Sequence, residues 1–227
     1  MLLTLDIGNT NITLGVFEGA KLIATWRLAT DPRRMPDEYG LAISSMLPLK
    51  GISPKQIHHI ALCSVVAPLV PVFEEVSLSY FEIQPLVVGA GVKTGVRVLY
   101  DNPRDVGADR VTDAAAAYQL YGGPTIIVDF GTATVFDAVS ESGDYLGGAI
   151  APGLNLAAEA LFLNTSQLRR VEMARPASAI GKNTTASMQS GLVLGYAGLI
   201  EGMVHRFKEE LGGEPTVVAT GGLAPLM

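Results

Sequence analysis

A short motif occurs twice in this chain, and it constrains the fold more than any other feature. The first copy is LTLDIGNTN at residues 3–11, and the second is IIVDFGTAT at residues 126–134. Each copy is an apolar run that ends in Asp-x-Gly and small polar residues, and a second apolar stretch follows. This pattern predicts a β-hairpin with aspartate and glycine at its tight turn. Since Asp6 and Asp129 lie 129 − 6 = 123 positions apart, two similar halves are predicted.

The turn of each copy has the chemistry of a phosphate-binding loop. A glycine lets the backbone approach a phosphate closely, because no Cβ intervenes. Backbone N–H groups, with Thr or Asn side chains, donate to phosphate oxygens. An aspartate repels phosphate, so its presence is explained if a cation lies between the two. A simple tight turn is the alternative for each copy, but two copies separated by the length of a domain favour phosphate binding.

The predicted order of elements also repeats. Each half begins with three strands and a helix, at residues 2–5, 12–17, 22–28 and 36–49, and again at residues 126–129, 135–140, 145–150 and 154–163. The other predictions are strands at 57–64, 86–88 and 216–219, helices at 69–81, 109–121 and 186–211, and a turn at 89–91. This alternation predicts an α/β fold with two mixed sheets and flanking helices. A nucleotide is expected in a cleft between halves at residues 1–118 and 119–227.

Composition excludes several kinds of partner. The 227 residues are 48% hydrophobic, which is ample for a core, and the net charge is −6. The largest basic clusters are the pairs at 33–34 and 169–170, so no nucleic acid is expected to bind. The longest apolar stretch contains two prolines and is too short to span a bilayer, so no membrane partner is expected. The single cysteine, Cys63, cannot form an intrachain disulfide, and a cytoplasmic protein is therefore expected.

Five motifs in order resemble those of type III pantothenate kinases, within the superfamily of acetate and sugar kinases, heat-shock chaperones and actin. They are DIGNTN at 6–11, NPRDVGADR at 102–110, DFGTAT at 129–134, GGAIAPG at 147–153 and GKNT at 181–184, and TGG at 220–222 resembles the adenosine loop of the superfamily. The resemblance implies two actin-like, ribonuclease H-like halves. It also implies phosphorylation of pantothenate by ATP, which is the first step of coenzyme A biosynthesis. A homodimer, Mg²⁺ with ATP, and a monovalent cation (K⁺ or NH₄⁺) are implied as well.

The resemblance assigns a role to individual residues. Asp109 matches the catalytic base, whereas the nearby Asp105 and Asp113 do not. The implied ATP-binding residues are Asp6, Ile7, Gly8, Asn9, Thr10, Asn11, Ile12, Thr13 and Thr132, with Asp6 also at the Mg²⁺. The implied substrate-binding residues are Tyr100, Gly107, Ala108, Asp109, Arg110 and Thr184, and Asp129 matches the ligand of the monovalent cation.

Structural and functional alternatives stay open. Asp109 is also explained as a helix N-cap, Arg110 as part of a structural ion pair, and Tyr100 as a partly buried tyrosine with a hydrogen-bonded hydroxyl. The chain is also compatible with a non-catalytic regulatory relative that binds ligand. A kinase for another small hydroxylated substrate is a further alternative, because phosphate-binding machinery does not choose the acceptor. A chaperone-type ATPase would need partner domains for which 227 residues leave no room.

One predicted helix carries glycines that need an explanation. Gly191, Gly195, Gly198 and Gly202 share one face of it, and each costs about 1 kcal/mol relative to alanine. Close approach of another backbone is expected, either the protein's own sheet, which we favour, or a dimer partner. Family members usually continue with another helix after the TGG loop, so the second half is expected to be short at Met227.

Overall fold

The computed structural model describes residues 1–89 and 91–227, and it contains two compact units. Unit 1 comprises Met1–Thr94 and Arg104–Thr112, and unit 2 comprises Gly95–Pro103 and Asp113–Met227. Residue 90, inside the turn predicted at 89–91, lies outside the described residues. The boundary between the two halves that the sequence predicts after residue 118 stays a prediction.

Unit 1 is built on a five-stranded mixed sheet in the order β3-β2-β1-β4-β5. Its strands are β1 (Leu2–Ile7), β2 (Asn11–Glu18), β3 (Lys21–Ala29), β4 (His59–Ser64) and β5 (Leu86–Val87). β1 pairs antiparallel with β2 and parallel with β4, so it lies in the centre of the sheet. The helices are α1 (Pro36–Met46), α2 (Leu69–Phe81) and α3 (Ala108–Tyr121), the last of which begins in unit 1 and continues in unit 2.

The core of unit 1 follows from the alternation along β1. Leu3, Leu5 and Ile7 are at most 2% exposed, as expected for side chains that share one face of a strand. Tyr39 of α1 and Phe73 of α2 are also fully buried, and their ring centroids lie 4.8 Å apart. Both rings belong to the same buried cluster as Ile7, the last residue of β1 before the first hairpin turn.

Unit 2 repeats the arrangement with a four-stranded sheet in the order β8-β7-β6-β9. Its strands are β6 (Thr125–Phe130), β7 (Ala133–Val139), β8 (Tyr145–Pro152) and β9 (Thr216–Thr220). β6 pairs antiparallel with β7 and parallel with β9, as β1 does with β2 and β4. The helices are α4 (Leu154–Leu163), α5 (Thr184–Gln189) and α6 (Gly195–Leu211). The predicted α/β class with two similar halves is confirmed.

Three details of the helices differ from the sequence prediction. α1 ends at Met46 and a 3₁₀ turn, Leu47–Lys50, follows, because Pro48 has no N–H to donate to the helix. The long helix predicted at 186–211 begins earlier, since the side chain of Asn183 caps α5 by accepting from the N–H of Ala186 at 2.8 Å. A π-helical turn, Ser190–Leu194, then separates α5 from α6.

The glycine face of this helix does not pack on the protein's own sheet. A Cβ added to Gly191, Gly195 or Gly198 would meet no atom within 4 Å, and one added to Gly202 would meet only the guanidinium of Arg206. The expectation of internal packing is therefore wrong for the first three glycines. No helix in the described part of the chain combines the length and the apolar character needed to cross a bilayer.

Candidate active site

The first hairpin, between β1 and β2, turns through the predicted phosphate-binding residues. Ile7 pairs with Ile12 as the last partners before the turn, and the N–H of Gly8 donates to the carbonyl of Asn11 at 3.0 Å. A Cβ on Gly8 would lie 3.1 Å from that carbonyl, so the turn leaves little room for a side chain there. Asn9 and Thr10 lie exposed at the tip.

Thr30 holds this turn in place, and it was not among the residues selected from the sequence. Its hydroxyl donates to the carbonyl of Gly8 at 2.7 Å, and its N–H donates to the carbonyl of Thr10 at 3.1 Å. The carbonyl of Ile7 accepts from the N–H of Val65 at 3.1 Å. These three carbonyl oxygens of the turn therefore have hydrogen-bond donors within the protein. The available signal was a threonine directly after the strand that pairs with β2.

Asp6 and Asp109 are close enough in unit 1 for their charges to interact. Partial loss of hydration raises the pKa of Asp6, and the neighbouring Asp109 carboxylate raises it further. The folded protein therefore keeps two carboxylates in a position where one disfavours the ionisation of the other. A cation between Asp6 and phosphate oxygens would relieve this cost, so the donor set suits Mg²⁺, which often takes only one or two protein carboxylates. Among the described residues, no cluster of three or more His, Cys, Asp or Glu forms a complete metal site.

Asp109 is not the N-cap of α3. The carbonyl of Gly107 accepts the first helical hydrogen bond, from Val111 at 3.2 Å, and α3 begins at Ala108. Asp109 is therefore in the first turn, half-buried, and its Oδ1 accepts from the N–H of Arg110 at 2.8 Å. The N-cap alternative is therefore wrong, because α3 begins one residue before Asp109.

The second hairpin, between β6 and β7, is tighter than the first although the motifs match. Phe130 pairs with Thr134, four positions further along the chain, whereas Ile7 pairs with Ile12, five positions further along. The N–H of Gly131 accordingly donates to the carbonyl of Ala133 at 3.0 Å. Thr132 is exposed at the tip. The repeated sequence therefore specifies two different turns.

Two distant glycine motifs pack on the second hairpin. A Cβ on Gly221 would lie 2.5 Å from Oδ1 of Asp129 and 2.6 Å from backbone atoms of Phe130. A Cβ on Gly153 would lie 2.7 Å from the carbonyl oxygen of Gly131, and the N–H of Gly153 donates to the carbonyl of Thr132 at 3.1 Å. The motifs at 147–153 and 220–222 therefore both pack on the hairpin of the 129–134 motif, Gly153 at Gly131 and Thr132 and Gly221 at Asp129 and Phe130, because glycine permits this close approach.

Two further predicted residues lie in unit 2. Tyr100 is 37% exposed, and its ring centroid lies 6.4 Å from that of Tyr145. Thr184 is exposed at the start of α5. Gly181 precedes it, and a Cβ there would collide with backbone atoms of Ala186 and Ser187, so the GKNT segment lies directly on α5.

Comparisons with known proteins agree with this geometry. A family model described as type III pantothenate kinase matches residues 2–206. The type III pantothenate kinase of Myxococcus xanthus is 52% identical over 227 residues, which are 100% of this chain and 89% of that protein. A crystal structure of a candidate Baf family transcriptional activator from Campylobacter jejuni is similar with a TM-score of 0.58 and 20% identity, over 99% of this chain and 85% of that chain. A candidate 2-dehydro-3-deoxygalactonokinase from Sinorhizobium meliloti gives a TM-score of 0.52 and 12% identity, over 100% and 93%. These two likenesses concern the fold alone.

Substituting Gly221 tests the packing on Asp129. Gly221 has φ +90°, so Gly221→Ala adds backbone strain of about 1–2 kcal/mol to the cost of the overlap, which is about 1–3 kcal/mol. Gly213→Ala is the matched control, because its φ is +67° and a Cβ there meets nothing within 4 Å. Urea unfolding is expected to show a clearly larger loss of stability for Gly221→Ala. Equal losses would show that the TGG loop is not packed on the hairpin.

The raised pKa of Asp6 predicts how stability depends on pH without ligands. The unfolded aspartate ionises near pH 3.9, while the folded one holds its proton to higher pH. Its contribution is therefore fully present below the unfolded value and is lost as pH rises through the folded value. In EDTA, the melting temperature of the wild type is expected to fall relative to that of Asp6→Asn as pH rises across this interval.

Asp31→Asn is the control of opposite sign for this titration. Hydrogen bonds from Arg33 lower the pKa of Asp31 to about 2. The stability that this exposed carboxylate contributes is present above the unfolded value and is lost as pH falls towards 2. A melting-temperature difference between the wild type and Asp6→Asn that does not change with pH would contradict the placement of Asp6 beside Asp109.

Proposed function

The chain belongs to the type III pantothenate kinase family, and we propose that it transfers the γ-phosphoryl group of ATP to the primary hydroxyl of pantothenate. The observation that carries this proposal is the pair of carboxylates in unit 1, one at the end of β1 beside the glycine turn and one in the first turn of α3. Phosphoryl transfer needs little besides positioning, charge neutralisation and a group that accepts the proton of the nucleophile.

Asp109 is the proposed general base. The hydroxyl oxygen of pantothenate attacks the γ-phosphorus in line, the bond to the β–γ bridging oxygen breaks, and ADP leaves. The hydroxyl proton passes to the Asp109 carboxylate, whose Oδ1 also accepts from the N–H of Arg110. The side chain of Arg110 is proposed to hold substrate or the transferring group through a forked hydrogen bond.

The first hairpin is the proposed binding site of the ATP phosphates. Residues 6–13 supply it, and Asn9, Thr10 and Asn11 are the donors at its tip. Mg²⁺ would be held by Asp6 together with phosphate oxygens and water, and when bound it neutralises the charge of the polyphosphate. The hydrogen bonds from Thr30 to the carbonyls of Gly8 and Thr10 hold the shape of this turn.

Unit 2 is proposed to supply the remaining contacts. Thr132 is the second phosphate contact, Asp129 the ligand of K⁺ or NH₄⁺, and Tyr100 and Thr184 contact pantothenate. The support for Asp129 is the convergence of two glycine motifs on its hairpin. We further propose a cytoplasmic homodimer, with the open face of Gly191, Gly195 and Gly198 as the surface that a second copy covers.

An ADP-release assay with and without pantothenate, in K⁺ or in a buffer free of monovalent metal ions and ammonium, tests the reaction. Turnover is expected only with pantothenate, and it is expected to rise with K⁺. Equal ADP release without pantothenate would instead indicate an ATPase. Nucleotide binding with no turnover would indicate a regulatory protein, and turnover with another hydroxylated acid or sugar alone would indicate a different kinase.

Asp109→Asn tests the base directly. The amide keeps the size of the side chain but cannot accept the proton, so kcat is expected to fall by about 10² or more while ATP and pantothenate still bind. Asp105→Asn is the matched control, because Asp105 is an exposed aspartate of the same segment. Its kcat is expected to stay near that of the wild type. Near-normal turnover in Asp109→Asn would remove Asp109 from this role.

A further inference from the structure

The backbone of the segment that carries Tyr100 is hydrogen-bonded to Tyr145, the first residue of β8. The N–H of Tyr145 donates to the carbonyl of Arg97 at 2.9 Å, and the carbonyl of Tyr145 accepts from the N–H of Leu99 at 2.8 Å. Residues 97–99 thus run parallel to the edge of the sheet for one bridge only. The position of Tyr100, one residue further on, depends on this attachment.

The hydroxyl of Tyr145 is hydrogen-bonded to a buried carboxylate. Tyr145 is 0% exposed and Asp137 of β7 is 2% exposed, and the hydroxyl of Tyr145 donates to Oδ1 of Asp137 at 2.8 Å. A buried carboxylate is costly unless it is hydrogen-bonded, so this contact strongly favours one orientation of the tyrosine. The Tyr145 ring meets the Tyr100 ring at an interplanar angle of 45°, an arrangement that is favourable for aromatic pairs.

Two further contacts restrict the same segment. Gly147 has φ +127°, and a Cβ there would lie 3.4 Å from the ring of Tyr100, so the ring lies close against the backbone of β8. Arg97 forms a two-pronged ion pair with Asp144, with nitrogen–oxygen distances of 2.9 and 3.0 Å. Since the side chain of Arg97 is 71% exposed, this ion pair contributes less to holding the segment than the buried hydrogen bond between Tyr145 and Asp137 does.

We propose that Tyr145 and Asp137 are positioning residues that hold Tyr100 ready for pantothenate. This inference rests on the proposed function, because it takes Tyr100 as a substrate contact. A tyrosine that is ordered before binding spares the substrate the entropic cost of ordering it. Loss of the buried hydrogen bond therefore weakens pantothenate binding and leaves the ATP contacts of unit 1 unchanged.

Tyr145→Phe removes only the hydroxyl. The KM for pantothenate is expected to rise about 2- to 12-fold, the range that corresponds to one hydrogen bond, while the KM for ATP stays within about twofold. Tyr80→Phe is the matched control, since the hydroxyl of Tyr80 also donates to an aspartate, Oδ1 of Asp37, at 2.8 Å, but in unit 1. It is expected to leave both constants unchanged.

Asp137→Asn is the conservative variant. Its amide oxygen still accepts from the hydroxyl of Tyr145, so the KM for pantothenate is expected to stay closer to the wild-type value than in Tyr145→Phe. Asp137→Leu removes the acceptor and is expected to match or exceed the effect of Tyr145→Phe. Equal effects of Asn and Leu would indicate a general packing role and would overturn the proposal.

Hydrogen exchange of the ligand-free protein separates this inference from the proposed function. Peptides covering residues 96–101 are expected to exchange faster in Tyr145→Phe than in the wild type, and peptides covering α1 are expected to exchange at the same rate. If the wild type shows no turnover with pantothenate, the proposed function fails while exchange still tests the positioning. Unchanged exchange at 96–101, or an equal rise in both KM values, would overturn the inference.

Should Tyr145→Phe not fold, Arg97→Ala loosens the same segment from the surface, and the same exchange result is expected.

Discussion

Burial of a central strand is the constraint on which both units depend. β1 and β6 each lie between an antiparallel and a parallel neighbour, and their apolar side chains are almost completely removed from water. Along β1, a slip by one residue would turn Leu3, Leu5 and Ile7 to the other face of the sheet. The register of β1 is therefore strongly fixed, and with it the position of Asp6. The catalytic chemistry thus depends on the hydrophobic core for its geometry.

The same arrangement has a cost in the protein without ligands. Asp6 is partly desolvated and lies near a second carboxylate, so its charged form is disfavoured in the folded state. Natural active sites often retain such unfavourable electrostatics because function requires them. In the proposed complex, the cation would offset this repulsion, and its binding would then stabilise unit 1.

The sequence predicted most of the fold for identifiable reasons. Apolar runs and alternating apolar residues predicted all nine strands of the described residues, and the Asp-x-Gly pattern located both hairpins. The boundaries failed where local chemistry intervenes, at Pro48, which ends α1, and at Asn183, which begins α5 before its predicted start. The expectation that Gly191, Gly195 and Gly198 pack on the protein's own sheet was wrong, because periodicity shows which residues share a face and not what covers it.

The sequence by itself determined the class of the fold, the two hairpins and the identity of the chemical groups at their turns, because these follow from local pattern and from motifs that are contiguous in the chain. Only the tertiary structure decided that matching motifs close with different turns, that Thr30 holds the first turn, and that Tyr145 and Asp137 brace Tyr100. The physical reason is that these contacts join residues from separate strands and loops. Their geometry depends on sheet register and on close backbone approach, which no stretch of sequence specifies alone.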